Sequence, residues 1–252
     1  MNSTAGKLYG LGLGPGDPEL LTLKAFRLLQ TVPVIAYPCS EDGTSVARNI
    51  VAQWLGAHQV EIPIPLPFRA QESAAPYYDR AALKLHDRLD QGQDVAVLCE
   101  GEPMLYGSFM YLLNRLSGHF DIEVIPGISS TLASGAIAGH PLTYGNDILS
   151  IFPATLPIEV LRTQLAKIDA AIIIKLGRHF HKIASLLEEL GLGDRALYLE
   201  RISQPMQRIL PLAAVNPAEV PYWSLILIPS DRAPSASGDQ SLGLNISVNA
   251  LD

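Results

Sequence analysis

The chain has 252 residues, of which 48% are hydrophobic and 17% charged, so it can form one large or two small domains and lacks a disorder signature. Its formal net charge of -7 repels polyanions, and no nucleic-acid partner is expected. No apolar run approaches the ~20 residues that span a bilayer, and the polar start at residues 1–6 has no apolar signal region, so we expect a cytoplasmic protein without a membrane partner.

In chain order, apolar segments alternate with segments of helical periodicity through the first half of the sequence. Strands are predicted at residues 7–13, 32–37, 94–98 and 122–125, with an edge strand or a loop at the proline-punctuated segment 62–67. Helices are predicted behind an Asp17 N-cap and at residues 45–55, 77–89, 105–116 and 129–138. This alternation favours a mostly parallel α/β sheet.

A turn-rich stretch at residues 139–145 is the predicted boundary between two domains, 1–142 and 143–252. Beyond it, strands are predicted at residues 149–152, 170–175, 196–200 and 224–228, and helices at 161–166 and 180–190. From Pro229 onward Ser, Gly, Asp and Asn dominate, so we expect a loose tail. The predicted fold class is therefore α/β, with mixed, mostly parallel sheets.

Three turns at predicted strand ends are rich in glycine, proline and small polar residues: 12–17, 100–103 and 126–131. Ligands of open α/β sheets bind outside the carboxyl ends of the strands, and glycine lets a ligand approach backbone amides that act as donors. Each turn alone is equally well explained as a plain connector, with Asp17, Ser129 and Ser130 as N-caps. The occurrence of all three in one half of the chain favours a binding site built largely from main chain.

The first turn does not fit a nucleotide-binding fingerprint. In three registers of G-x-G-x-x-G, the third glycine is replaced by Pro15, Asp17 or Glu19, which argues against a nicotinamide oxidoreductase. A P-loop is excluded because Asp17-Pro18 stands where Lys-Ser/Thr is required. The two cysteines and the pair His179 and His181 have no metal-ligand spacing, so no metal is expected.

Four arginines lie in loops, where they are either solvated surface charges or clamps for a carboxylate-bearing ligand. The planar guanidinium group pairs with carboxylates through two parallel hydrogen bonds, which suits the second role. These candidate substrate-binding residues are Arg69, Arg178, Arg201 and Arg208.

Four segments together resemble the motifs of the tetrapyrrole methylase family. Residues 14–25 (GPGDPELLTLKA) resemble the opening motif, 101–107 (GEPMLYG) the second and 126–130 (PGISS) the third, and 200–209 (ERISQPMQRI) resemble the fourth. Their order and spacing extend over nearly the whole chain. One position departs from the pattern, because Glu102 stands where the family usually has aspartate.

The resemblance implies two α/β domains with an active-site cleft between them that holds S-adenosylmethionine, with S-adenosylhomocysteine as the product. Carried over by motif, the cofactor contacts are Pro15, Glu100, Gly101, Glu102, Leu105, Ser130, Thr131 and Leu176. Segments 95–101, 106–112 and 224–227 are most similar to members that methylate precorrin-2 or its cobalt form at carbon 20 in cobalamin biosynthesis. A homodimer is expected from the family, and no catalytic base can be assigned from the sequence.

Other functions stay open at this point. The chain could methylate another corrin carbon, diphthamide or ribosomal RNA, although the acidic pI disfavours an RNA substrate. It could also be an inactive module that binds S-adenosylmethionine, with Glu102 marking the lost activity.

Overall fold

The computed structural model describes residues 5–67 and 73–231, and the chain divides into two compact units between Ser130 and Thr131. This division precedes the expected boundary after Leu142, because helix α5 (Ser130–Ala138) packs Ala133 and Ile137 onto apolar residues of the second sheet. The domain limits 1–142 and 143–252 stay a prediction. Arg69 and most of the expected loose tail lie outside the described residues.

Five parallel strands form the sheet of the first unit, in the spatial order β3-β2-β4-β1-β5. They are β1 (Leu8–Gly12), β2 (Val34–Cys39), β3 (Val60–Pro65), β4 (Val95–Cys99) and β5 (Ile122–Ile125). The connecting helices are α1 (Leu23–Thr31), α2 (Val46–Val51), α3 (Ala75–Asp90) and α4 (Phe109–Leu116). Apolar clusters cover both faces of the sheet, which explains why β4 is a continuous apolar run. The proline-punctuated β3 lies at the edge, as predicted.

Side-chain caps decide where the first helices begin. The Thr22 hydroxyl accepts a hydrogen bond from the Ala25 N–H at 3.2 Å, and this cap starts α1. Asp17 is a cap, as predicted, but its carboxylate bonds the Glu19 N–H at 2.8 Å and caps only the short 3-10 helix Pro18–Leu20. The expected helix running on from Asp17 is therefore interrupted.

The second unit has its own five-stranded sheet, in the order β6-β7-β10-β8-β9. Its strands are β6 (Leu149–Pro153), β7 (Ala170–Ile174), β8 (Leu197–Glu200), β9 (Arg208–Pro211) and β10 (Ser224–Ile228), and its further helices are α6 (Ile158–Leu165) and α7 (Phe180–Glu189). The pair β6–β7 is parallel, whereas β7–β10, β10–β8 and β8–β9 are antiparallel. The predicted α/β class is confirmed, with the mostly parallel character confined to the first sheet.

Among the described residues, no helix combines the length and the apolar character that crossing a bilayer requires.

Candidate functional site

The three glycine-rich turns meet at one edge of the first sheet. Strand β1 pairs Gly12 with Cys99 of β4 and Leu11 with Ile125 of β5, so these three strands end side by side. The Gly101 N–H donates to the carbonyl oxygen of Gly14 at 2.8 Å, which joins the first turn to the second. The structure therefore brings together the turns that the sequence singled out.

Glycine is required where the second and third turns touch. A Cβ added at Gly127 would lie 2.1 Å from the carbonyl oxygen of Gly101 and 2.7 Å from the Cα of Gly12. A Cβ added at Gly12 would in turn lie 2.4 Å from the Gly127 nitrogen. Two backbones can approach this closely only when neither carries a side chain.

Glu102 connects two of the turns instead of disturbing them. Its Oε2 accepts a hydrogen bond from the Gly127 N–H at 2.9 Å, and its Oε1 accepts one from the Met104 N–H at 3.0 Å. The longer side chain, which departs from the family pattern, thus holds the second turn against the third. Sequence reasoning missed this role, because no local pattern relates Glu102 to Gly127.

The backbone amides at the junction are engaged within the protein. We expected them to donate to a ligand, but the Gly101 N–H bonds Gly14 and the Gly127 N–H bonds Glu102. That expectation is wrong for these two amides. Gly101 instead offers close approach, since its Cβ direction meets nothing nearer than 3.8 Å, at the Ser129 Cα, and its φ is +67°. This open direction leaves room for a small molecule beside Gly101.

Glu100 follows β4 and precedes Gly101 in the second turn. Its side chain is partly buried, and its Oε1 accepts a hydrogen bond from the Ala47 N–H at the start of α2, at 3.1 Å. Burial raises the pKa of Glu100 to about 7, and the hydrogen bond from Ala47 offsets only part of that rise. The carboxyl group therefore exchanges its proton near neutral pH.

The raised pKa of Glu100 predicts a pH-dependent stability. The unfolded carboxyl ionises near 4.5, so the folded chain holds an extra proton between pH 4.5 and about 7, and stability falls as the pH rises through that window. Glu100→Gln removes this loss. We expect its unfolding free energy relative to wild type to improve by roughly 1–3 kcal/mol between about pH 5 and about pH 8. Urea titrations at the two pH values measure this, and an unchanged difference would contradict the raised pKa.

The other predicted cofactor contacts occupy different environments. In the first unit Pro15 is buried beside Gly14, Leu105 is partly exposed in the loop before α4, and Ser130 begins α5. Leu105 was expected in a helix, but α4 begins only at Phe109. In the second unit Thr131 and Leu176 are buried, and Leu176 belongs to the core cluster around Phe180. Their roles as cofactor contacts stay a prediction.

A buried carboxylate organises the fourth motif in the second unit. Glu200, at the end of β8, is fully buried and accepts hydrogen bonds at Oε1 from Arg208 at 2.7 Å and from Arg201 at 2.8 Å. Its Oε2 accepts bonds from Arg208 at 3.2 Å and from the Tyr198 hydroxyl at 2.5 Å. Burial alone would raise the pKa of Glu200, but these contacts outweigh it and hold the pKa below its usual value.

Two of the predicted substrate clamps already have a carboxylate partner within the protein. Arg201 and Arg208 both bond an internal carboxylate, although their side chains are still 35% and 45% exposed. Sequence reasoning did not identify Glu200 or Tyr198 as their partners. Glu200 and Arg208 are directly opposite in the β8–β9 pairing, and this could not be inferred because β9 itself was not predicted.

The loop between β8 and β9 has an unusual backbone. Arg201, Ser203 and Met206 have φ angles of 49°, 53° and 67°, in the left-handed region that non-glycine residues rarely adopt. Such strain persists only where surrounding contacts hold it, and it concentrates at functional sites. Here the Arg201 N–H bonds the Trp223 carbonyl oxygen at 2.9 Å. Arg178, the fourth candidate clamp, is exposed in the turn after β7.

Known proteins resemble this chain over most of its length. The family model for tetrapyrrole (corrin/porphyrin) methylases matches residues 7–215. The cobalamin biosynthesis protein CobIJ of Mycobacterium tuberculosis is 39% identical over 239 residues, which cover 91% of this chain and 47% of that protein. The chain thus spans about half the length of this curated relative.

Two further relatives are matched over nearly their whole length. Precorrin-2 C(20)-methyltransferase of a Sinorhizobium species is 38% identical over 233 residues, or 89% of this chain and 95% of that enzyme. The crystal structure of uroporphyrin-III C-methyl transferase from Thermus thermophilus, complexed with S-adenosylhomocysteine, has a TM-score of 0.61 and 29% identity and covers 88% of this chain and 96% of that one. Together with the family match, these likenesses show that the chain belongs to the tetrapyrrole methylase family.

Proposed function

We propose that the protein transfers a methyl group from S-adenosylmethionine to carbon 20 of precorrin-2, or of its cobalt form, in cobalamin biosynthesis. The observation that carries this proposal is the likeness to the Sinorhizobium enzyme, which covers 89% of this chain and 95% of that relative. The convergence of three turns at the carboxyl edge of the first sheet supports it, since ligands of such sheets bind there.

The donor would be held by the second turn and its neighbours. Gly101 permits close approach because its Cβ direction is open, and Glu102 and Gly127 fix the turn around it. The other predicted contacts are Glu100, Pro15, Leu105 and Ser130 of the first unit and Thr131 and Leu176 of the second. When bound, S-adenosylmethionine supplies an electrophilic methyl group.

The residues of the chain would act chiefly by alignment. Holding two reactants in near-attack geometry can lower the barrier by about 7–11 kcal/mol. Carboxylates around the rim of a corrin precursor would pair with Arg69, Arg178, Arg201 and Arg208. Arg178 is the exposed member of this set that makes no ion pair within the described part of the chain.

Gly101→Val is expected to abolish binding of S-adenosylhomocysteine, because the branched side chain would fill the open direction above the turn. Gly43→Val is the matched control: Gly43 also has a positive φ, of 85°, and its Cβ direction meets nothing within 4 Å. Both variants carry comparable backbone strain. Calorimetry with S-adenosylhomocysteine measures the effect, and equal affinity of the Gly101 variant and wild type would contradict the placement.

Product analysis tests the activity. The protein is incubated with S-adenosylmethionine and one of three substrates: precorrin-2, its cobalt form or a later corrinoid. Mass spectrometry and NMR of the products should show one added methyl group at carbon 20 of precorrin-2 or its cobalt form. Methylation of a later corrinoid alone would favour another position in the pathway. Binding of S-adenosylhomocysteine without turnover of any tetrapyrrole would favour an inactive binding module.

A cytoplasmic homodimer is part of the same proposal, and it rests on family resemblance. Sedimentation equilibrium measures the assembly, and a monomer at micromolar concentration would refute that part.

A further inference from the structure

We propose that Glu100 is the proton acceptor of the methyl-transfer reaction, and that its second carboxylate oxygen removes the proton that the methylated ring carbon loses. This inference rests on the proposed function, since it assigns one step of that reaction to one residue. It names the base that the sequence alone did not provide.

The chemistry requires such an acceptor. Methylation of a meso carbon forms one carbon–carbon bond, breaks the carbon–sulfur bond of the donor and leaves an extra positive charge on the ring. The ring becomes neutral again when the hydrogen on that carbon departs as a proton, leaving its bonding electrons in the ring. A carboxylate close to the reacting carbon can accept this proton and release it to solvent.

Only one oxygen of the Glu100 carboxylate accepts a hydrogen bond from the described residues. Its Oε1 is fixed by the Ala47 N–H, whereas Oε2 accepts no hydrogen bond from the described residues. Glu102 differs because both its oxygens bond backbone amides, and Asp17 is engaged in capping the turn at Glu19. On the second turn, Glu100 is thus the carboxylate with an oxygen that no described backbone amide holds.

The groups around Glu100 leave it without a cationic partner in the described structure. Arg48 of α2 lies closest in sequence to Ala47, but its guanidinium donates to Glu61 at 2.7 and 2.9 Å. The other titratable groups on the neighbouring elements are Tyr9 on β1, Cys39 and Tyr37 on β2, Cys99 on β4, Lys24 and Arg27 on α1, Glu102 in the following turn and Asp17 in the first turn. Lys24 donates to Glu123 and Arg27 to the Leu23 carbonyl oxygen, and no charged group contributes to the pKa of Glu100. Burial raises the pKa of Glu100 to about 7, which matches the value that suits a base near neutral pH.

The test is the single-turnover rate at which the deprotonated, carbon-20-methylated product forms, measured across about pH 6 to 8.5 for wild type and Glu100→Gln. The glutamine oxygen can still accept the Ala47 hydrogen bond, so the fold is expected to persist. Wild type should slow below about pH 7, as Glu100 becomes protonated. This decrease is the acid limb of the pH–rate profile. The variant should be about 100-fold slower, in line with the usual contribution of a general base, and its profile should have no acid limb.

Three further measurements distinguish a role in proton transfer from a purely structural role. With precorrin-2 deuterated at carbon 20, Glu100→Gln should show a primary isotope effect, because proton removal becomes slow. Glu100→Asp retains an acid and should recover the acid limb with an intermediate rate. Glutamine keeps the main chain of residue 100, through which the predicted cofactor contact would be made. Calorimetry should therefore give an S-adenosylhomocysteine affinity within about threefold of wild type for Glu100→Gln, which would show that the turn is intact.

Glu102→Gln is the matched control on the same turn. It should weaken S-adenosylhomocysteine binding, because one of its two backbone hydrogen bonds is lost, and should keep the acid limb. Suppose that wild type methylates carbon 20 but that Glu100→Gln has the same rate, the same acid limb or no isotope effect. The assignment of Glu100 is then overturned, whereas the proposed function stands. If wild type does not methylate carbon 20 at all, the proposed function fails first.

Discussion

Gly127→Ala is expected to abolish binding of S-adenosylhomocysteine and to destabilise the first unit by about 3 kcal/mol or more. The added Cβ would lie 2.1 Å from the Gly101 carbonyl oxygen, and a backbone atom is the neighbour that must move. Forced overpacking typically costs about 1–3 kcal/mol, and a backbone displacement lies at the upper end. Separating the turns would also break the hydrogen bond from Gly127 to Glu102.

Gly118→Ala in the same unit provides the control. Gly118 has a φ of 86° and open space in the Cβ direction, so only backbone strain of about 1–2 kcal/mol is expected, with unchanged ligand affinity. Urea unfolding and calorimetry measure both variants. Wild-type affinity in Gly127→Ala would show that the contact between the turns does not shape the binding site.

Glu200→Ala is expected to destabilise the second unit by about 2–4 kcal/mol. Loss of a buried carboxylate leaves Arg201, Arg208 and the Tyr198 hydroxyl without their common acceptor. Breaking a buried pair costs about 3–5 kcal/mol, and the partial exposure of both arginines reduces that value. Because the pKa of Glu200 is lowered in the folded chain, its contribution is present above the unfolded pKa and is lost as the pH falls through the folded one.

Glu219→Ala is the comparison for this prediction. Glu219 lies 4.0 Å from Arg208 and is 60% exposed, and exposed ion pairs contribute about 0–1 kcal/mol. Urea unfolding at neutral pH should therefore separate the two variants clearly. Equal, small effects would mean that the Glu200 network does not hold the strained loop after β8.

The sequence predicted the first unit more completely than the second. Parallel strands covered on both faces are continuous apolar runs separated by helices of clear periodicity, and β1, β2, β4 and β5 were all found this way. Strand β9 (Arg208–Pro211) was missed because it has only two apolar residues between its terminal arginine and proline, and it follows a loop with three left-handed residues. Its antiparallel pairing with β8 depends on contacts that no local pattern encodes.

The candidate site was predicted as a set of turns but not as a network. Glycine-rich strand ends predicted that the three turns meet at one edge of the sheet, and the register of the parallel strands places them there. The engagement of the Gly101 and Gly127 amides could not be foreseen, since each partner lies in a different turn. The same holds for Glu100, whose raised pKa arises from burial between β4 and α2.

A crystal structure with S-adenosylhomocysteine bound is the most direct measurement. We expect the ligand against Gly101, in contact with the second turn and its neighbours Pro15 and Leu105, with the Glu102–Gly127 hydrogen bond intact. Electron density for the ligand elsewhere, with the space above Gly101 empty, would contradict the account.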